Sequence, residues 1–505
     1  MQAPGDMSRD KGSFLTHLIL YILAVKVVIF MVDPTVMFFI DDSTRYLDTA
    51  VSSYIPPDRS FLYGFMIRWL THLCRSLTIL VFFQVLCSAV TAVLAGYLLN
   101  RFLSVKKNIS IAFAVVCAFA PVQVLYERYV MTETVSLMLF AVYVTAAFFY
   151  LRKPGVKTLL VMSLAGVFLI AFRLSYLPCV LCGAVIVPCI AFFNRSNEEL
   201  RDNGWNQGSI KTFSIRRAGI SFLYMVISCL LTYGLHSAYK TINGRLSSKP
   251  PAYQYCDGYH LLASWAPLLK KEDFADPRIA GYTQQYFYYR LEDRYERMNH
   301  RWADYGLIYY IHHMYDSRVK ANKIAHDTAM NILRRDPLGV MRLAWESYMD
   351  YWDIGMLKNT LMGDRSTRSF PEGLMEILKS NYHMNGEGLA SKKTFTNQYF
   401  LNAIPWYLII FSLPVIIALS IIMDKGRHTI FLSLLGFFAI LILINSTTLV
   451  HRNTMRFFHP DEWITVIFLG VLYDRIMARG LARAMYERLQ ISKRFITARY
   501  RKTMP

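Results

Sequence analysis

Charge is scarce in this sequence, and acid scarcer than base. Asp, Glu, Lys and Arg make up 18% of the 505 residues, with 35 acidic side chains against 55 basic ones. A typical soluble domain carries about 25%. Here 54% of the chain is hydrophobic, and those residues gather in long blocks, which argues against an ordinary soluble fold. Cysteine is also sparse. Of eight, Cys87, Cys117, Cys179, Cys182, Cys189 and Cys229 lie inside apolar runs, and only Cys256 lies well inside the large polar region, so no disulfide framework is implied. Cys179-x-x-Cys182 has a redox spacing but follows Pro178 within an apolar run, and reads as small buried hydrophobes. His300 and His312-His313 lack a zinc spacing. Internal repeats and low-complexity tracts are missing, as is a cleavable leader: polar Met1–Ser13 enters an apolar run with no small-residue cleavage site, which reads as a retained first span.

What is present is a series of apolar runs long enough to cross about 30 Å of hydrocarbon. They lie near 14–33, 77–99, 109–125, 133–151, 158–174, 176–193, 219–237, 404–423, 429–449 and 462–477, about ten spans. The net charge of +20 sits largely in short segments beside these runs. Basic residues follow every even-numbered run: Arg101 and Lys107, Arg152 and Lys153, Arg195 and Lys211, Lys425 and Arg427, then the tail with Arg475 and Arg483. The positive-inside rule then puts both termini in the cytoplasm. The surplus matches anionic headgroups better than nucleic acid, which is excluded as a partner. The expected fold class is an all-α polytopic membrane protein. An N-terminal transmembrane module (1–237) has its first outer loop at 34–76. A mostly helical extracytoplasmic region (238–403) follows, with a helix break expected at Pro337 and a mobile loop over 379–397. A C-terminal transmembrane module (404–477) and a basic cytoplasmic tail (478–505) complete the chain.

Candidate chemistry gathers at the outer ends of these runs. Asp41-Asp42 follows Phe38-Phe39-Ile40 directly, and partial desolvation with mutual repulsion is expected to raise at least one of their pKa values. A carboxylate there can take a hydroxyl proton or hold a metal. Glu127, Arg128 and Glu133 lie in the link between runs three and four, and Arg173 ends run five. His451, Arg452, Arg456, His459, Asp461 and Glu462 fill the link between runs nine and ten. Arginine at outer ends opposes the usual charge bias, and phosphate oxygens, which it binds bidentately, give a reason for it. Lipid phosphates or neighbouring carboxylates would satisfy the same arginines. Lys26 interrupts the first run and reads as snorkelling outward. Arg68, His72 and Arg75 share one face of 61–77, as in a flat interfacial helix touching headgroups. The many Tyr and Trp of 282–310 read as interface or core rather than as a sugar platform.

Taken together, these pieces resemble the GT-C superfamily of membrane glycosyltransferases, which includes protein mannosyltransferases and lipid A aminoarabinose transferases. The matching pieces are Asp41-Asp42 after the first run, Met131-Thr132-Glu133 opening the fourth, and Arg173 ending the fifth. Asn331-Ile332-Leu333-Arg334-Arg335-Asp336-Pro337 precedes an outer helix, and Arg456-Phe457-Phe458-His459-Pro460 precedes the last run. The chain departs from some relatives in having no large periplasmic domain after its tenth run.

The resemblance implies a polyprenyl-phosphate or polyprenyl-diphosphate sugar donor and a glycan, lipid or protein acceptor. It implies Asp42 or Asp41 as catalytic base or as ligand of a divalent cation such as Mg or Mn. Arg128, Arg173, Arg456, Arg452 and His459 would face the donor phosphate, and Glu133 would orient an arginine or the acceptor. The expected setting is a bacterial inner membrane with the site on the extracytoplasmic face. The sequence leaves open a transporter or flippase of a lipid-linked saccharide and a non-catalytic envelope assembly protein.

Overall fold

A computed structural model describes residues 4–202, 207–286, 291–365, 369–389, 392–426, 428–449 and 453–480. Its elements in chain order are helices α1 (Pro4–Val32), α2 (Ile40–Ser52), α3 (Phe61–Thr71), α4 (Thr78–Arg101), α5 (Lys107–Phe119), α6 (Pro121–Tyr126), α7 (Glu133–Arg152), α8 (Val156–Phe172), α9 (Leu177–Asp202), α10 (Gln207–Ser247) and α11 (Asp257–Trp265). There follow α12 (Pro277–Tyr286), α13 (Arg297–Trp302), α14 (Leu307–His313), α15 (Arg318–Arg335), α16 (Pro337–Met349), α17 (Ile354–Arg365), α18 (Glu372–Tyr382) and α19 (Phe395–Asn402). The last are α20 (Ile404–Phe411), α21 (Leu413–Asp424), α22 (Thr429–Thr448) and α23 (His459–Ala478). Among the described residues there is no strand, and the one β-bridge joins Met37 to Tyr129.

Each apolar run of the sequence falls on helix, and the protein is an all-helical membrane protein. Among the described residues, six stretches are long and apolar enough to cross a bilayer: 13–32, 78–101, 133–152, 174–191, 222–247 and 429–448. Four of the ten expected runs are not among these six: 158–174 forms α8, only 17 residues long, 462–477 lies on α23, and two runs are broken. Residues 109–125 divide into α5 and α6 at Ala120-Pro121, because Pro121 has no N–H for the helix ladder. Residues 404–423 divide into α20 and α21, bent by 61°, at Ser412 just before Pro414. The bundle core joins α1, α4, α5, α7, α8, α22 and α23 around Leu18, Leu99, Phe140, Phe438 and Phe468.

The large polar region has its own core, with Leu262, Ile308, Ala325 and Ile332 packed together. The break expected at Pro337 is present. Asp336 ends α15 and caps α16, its carboxylate accepting from the Gly339 amide at 2.8 Å. The stretch 379–397 is partly ordered into helix: α18 runs to Tyr382, and Thr394 caps α19 by accepting from the Asn397 amide. Helix α3 lies against α2, where a Cβ at Gly64 would sit 2.5 Å from Thr49 Cβ. Arg68 has partners within the protein. It donates to the carbonyls of Ala50 and Val51 (3.0 Å) and so closes the C-terminus of α2.

Candidate functional site

The polar cluster around Asp42 starts from backbone. The Met37 amide donates to the Arg128 carbonyl (2.8 Å), and the Val130 amide donates to the Met37 carbonyl (3.0 Å). Gln84 Nε2 donates to the carbonyls of Glu127 and Tyr129, and Ser43 Oγ to that of Val130. These ties hold residues 127–132 beside the start of α2, so Glu133, first residue of α7, lies close to Asp42.

Asp42 is buried and doubly clamped. One carboxylate oxygen accepts from Arg59 and the other from Arg456. Arg456 also donates from Nε to Glu133 Oε1, and Arg173 NH1 lies 2.9 Å from that same oxygen. Arg173 further donates to the Arg456 carbonyl (3.2 Å), and its guanidinium lies 5.0 Å from the Phe457 ring centre. Three guanidiniums against two carboxylates leave one net positive charge. Outside this group Arg45 pairs with Asp58, which also lies 3.4 Å from Arg59.

The position of Arg456 is built by the link before α23. Thr454 caps the turn Met455–Phe457, and its hydroxyl donates to Asp364 Oδ1 at 2.6 Å. The Met455 amide donates to Asp364 Oδ2, and the Thr454 amide to the Tyr351 hydroxyl.

The three guanidiniums, with Asp58 and Thr132, line a pocket of about 90 Å³, and the carboxylates of Asp42 and Glu133 lie behind them, outside its lining. Its lining includes Arg59, Arg173 and Arg456 together with the apolar residues Ile170, Ala171, Phe172 and Leu174 around the end of α8. Several buried polar atoms here have no hydrogen-bond partner: Asp58 Oδ1, Arg59 Nε, Thr132 Oγ1 and Glu133 Oε2. Such atoms are costly to bury unless a ligand or water satisfies them.

At least one of Asp41 and Asp42 is expected from the sequence to have a raised pKa; Asp42 is not that one, and the Asp41 side chain lies outside the described residues. Burial alone would raise the Asp42 pKa, but Arg59 and Arg456 outweigh burial and hold the carboxyl well below its ordinary range. Asp42 and Glu133 in return push the Arg456 guanidinium upward against burial. Burial likewise pushes up the Tyr46 hydroxyl, which lines the pocket. The donor set suits arginine better than a divalent cation. Both Asp42 oxygens are engaged by guanidiniums, and no group of three or more His, Cys, Asp or Glu side chains suited to a metal occurs among the described residues.

Of the residues singled out by sequence, Asp42, Glu133, Arg173 and Arg456 meet here. Arg128 and His459 do not. They belong to a second buried polar group within the bundle, where Lys26 pairs with Glu127 and donates to the Ala118 carbonyl at 2.6 Å. Lys26 is therefore buried and does not snorkel. Arg128 lies 3.6 Å from Glu127 and donates to the Ile29 carbonyl, and His459 bonds Gln123. Glu462 accepts from the amides of Val122 and Gln123 and from Trp406 Nε1, closing the start of α6. Asp461 is buried with neither oxygen hydrogen-bonded. The Asp41 side chain and Arg452 lie outside the described residues. Arg59 and Asp58 were missed by sequence reasoning. The available signal was their position in the same 34–76 segment as Asp42, after Pro56-Pro57, whose Pro57 carbonyl accepts from the Tyr255 amide.

Comparison of the chain with family models, curated proteins and solved structures finds no match in any of the three.

Proposed function

We propose that this protein is a membrane glycosyltransferase. It takes a sugar from a polyprenyl-phosphate or polyprenyl-diphosphate donor and passes it to a glycan, lipid or protein acceptor outside the cytoplasm. The observation that carries this reading is a pocket whose lining joins three arginines, Arg59, Arg173 and Arg456, to apolar residues around the end of α8. An amphiphile with a phosphate head next to its chain matches that lining. In the reaction an acceptor hydroxyl oxygen bonds to the anomeric carbon as the bond from that carbon to the phosphate oxygen breaks. The phosphate leaves on the polyprenyl carrier with its charge held by Arg59, Arg173 and Arg456. The hydroxyl proton passes to a carboxylate. Asp42 is too acidic for this while two arginines hold it, and it gains basicity once the donor phosphate draws an arginine away.

All ten apolar runs then cross the membrane, as continuous or broken spans, with both termini in the cytoplasm. The pocket opens on the extracytoplasmic face of a bacterial inner membrane, and the 238–403 region lies on the same side. The test is transfer in vitro from a defined polyprenyl-linked sugar, with each variant checked for monodisperse elution in detergent. Full activity in the Asp41→Asn, Asp42→Asn double variant would end the catalytic role of the pair.

A second reading, a transporter of a lipid-linked saccharide, draws on the buried ionisable groups Lys26, Glu127 and Asp461 inside the bundle. Movement of a labelled lipid-linked saccharide across proteoliposomes, with no change in its chemistry, would select that reading.

A further inference from the structure

Helix α16 carries an apolar stripe on its outside rather than its inside. Leu338, Met341, Trp345, Met349 and Trp352 recur at helical spacing along α16 and the turn after it. Leu338 is 75% exposed, Met341 66% and Trp345 61%. The opposite face, with Val340, Leu343 and Ser347, is buried. The region to which α16 belongs has a core of its own, so this stripe is not needed to fill it. An apolar face of this kind on a polar region marks an interaction surface.

Its neighbours say what covers it. Helix α16 packs on α22, one of the six helices able to cross a bilayer. Tyr348 donates to the Phe411 carbonyl at the bend between α20 and α21, and the Trp352 ring centre lies 6.2 Å from that of Phe411. The same spans expose Ile409, Val415, Leu419 and Ile444. The stripe thus adjoins outward-facing apolar side chains of the spans, the surface that contacts acyl chains. Two tryptophans and the exposed Arg334 and Arg342 match the chemistry of the headgroup level.

We propose that α16 lies in the lipid interface, with its Leu338–Met341–Trp345 face in the outer edge of the acyl region, and that this seating sets the depth of the pocket. The link is short. Tyr351, just past α16, donates to the Thr454 carbonyl (3.3 Å) and accepts from the Thr454 amide (2.9 Å), two residues before Arg456. Interfacial seating of α16 therefore brings Arg456 near headgroup phosphates. The membrane placement of α16 stands even if the pocket proves to have another ligand.

The test uses the full chain in vesicles of phosphatidylethanolamine and phosphatidylglycerol. In a Cys74→Ser background, Met341→Cys and Trp345→Cys are spin-labelled separately. Lys323→Cys, exposed on α15, serves as the water-facing control, and the Cys74→Ser parent serves as blank. Labels at 341 and 345 should meet oxygen more readily than a water-soluble nickel chelate, at about 5–10 Å below the phosphates. Nickel access equal to that at 323 would overturn the proposal. So would exclusion of both reagents, with spin–spin broadening pointing to a second copy of the chain and its absence to another protein surface. An independent measurement is quenching of tryptophan fluorescence by brominated lipid, where Trp345→Phe should reduce the quenched fraction. An unchanged fraction would count against seating at Trp345.

Discussion

Arg456 donates from Nε to the carboxylate of Glu133, a residue 323 positions earlier in the chain. The bond ties the link before α23 to the first turn of α7. Because the same guanidinium also reaches Asp42, it ties both to α2 as well. A ligand that engages Arg456 therefore acts on three separate parts of the fold at once, and on the acidity of Asp42 in particular.

Asp42→Asn should separate binding from chemistry. Asn keeps the shape but not the charge, so Arg59 and Arg456 lose their competitor and the pocket gains one net positive charge. Affinity for a polyprenyl phosphate should rise, while transfer falls by roughly 10²–10⁴, the usual cost of losing a general base. Equilibrium binding of a labelled polyprenyl phosphate and a transfer assay on the same preparation give both numbers. Weaker binding would show that Asp42 supports the ligand rather than restraining the arginines.

The same substitution has a pH signature. The folded-state pKa of Asp42 lies below its unfolded value of about 3.9. Its stabilising contribution is thus fully present above that unfolded value and is lost as pH falls through the folded one. The gap in thermal unfolding between wild type and Asp42→Asn should stay constant from about pH 8 to pH 5 and shrink only below about pH 4. A gap that already closes between pH 7 and pH 5 would mean that Asp42 titrates high.

Arg456→Ala should weaken donor binding by the worth of a charge-assisted contact, about 1.5–3 kcal/mol. Arg456→Lys should restore only part of it. Lys cannot span Asp42 and Glu133 with two donors in fixed geometry as the planar fork does. Titration of the two variants with polyprenyl phosphate checks the order. Full recovery by Lys would reduce the role of Arg456 to simple charge.

Helix was legible in the sequence because an apolar run bounded by basic residues or proline has few other ways to satisfy its backbone in lipid. The breaks at Pro121 and Pro414 were legible only as prolines, since a tolerated kink and an interruption look alike in one chain. At the site, membrane side is a one-dimensional property. The expected side picked out Asp42, Glu133, Arg173 and Arg456, whose side chains meet, and equally Arg128 and His459, which do not join them, because depth does not say which way a helix faces. Arg59 escaped because its importance lies in a pairing with Asp42 that no spacing encodes.

Lys26 and Glu127 should show an asymmetric double-mutant cycle. Lys26→Met leaves Glu127 near Arg128, whereas Glu127→Gln takes the paired carboxylate from two buried cations and leaves them only the more distant Asp33 and Glu462. Breaking a buried pair typically costs about 3–5 kcal/mol, and Glu127→Gln should lie at the high end. The Lys26→Met, Glu127→Gln double variant should be less destabilised than the sum of the singles, read as unfolding temperature in a fixed detergent. Additive losses would show that the pair does not couple.

The topology can be tested without any assumption about the chemistry. Lys106 and Lys107 at the start of α5, and Arg152 and Lys153 at the end of α7, lie at the end of the bundle away from the pocket, which is lined by the far end of α8 and the link before α23. The positive-inside rule assigns the basic end to the cytoplasm. Reporters fused after Lys107 or Lys153 should therefore read inside, and tags inserted near Gly258 or Gly386 should read outside. A tag near Gly258 that reads inside would invert the bundle and turn the pocket towards the cytoplasm. That would remove the extracytoplasmic acceptor from the proposed reaction, while the arginine clamp on Asp42 would stand unchanged.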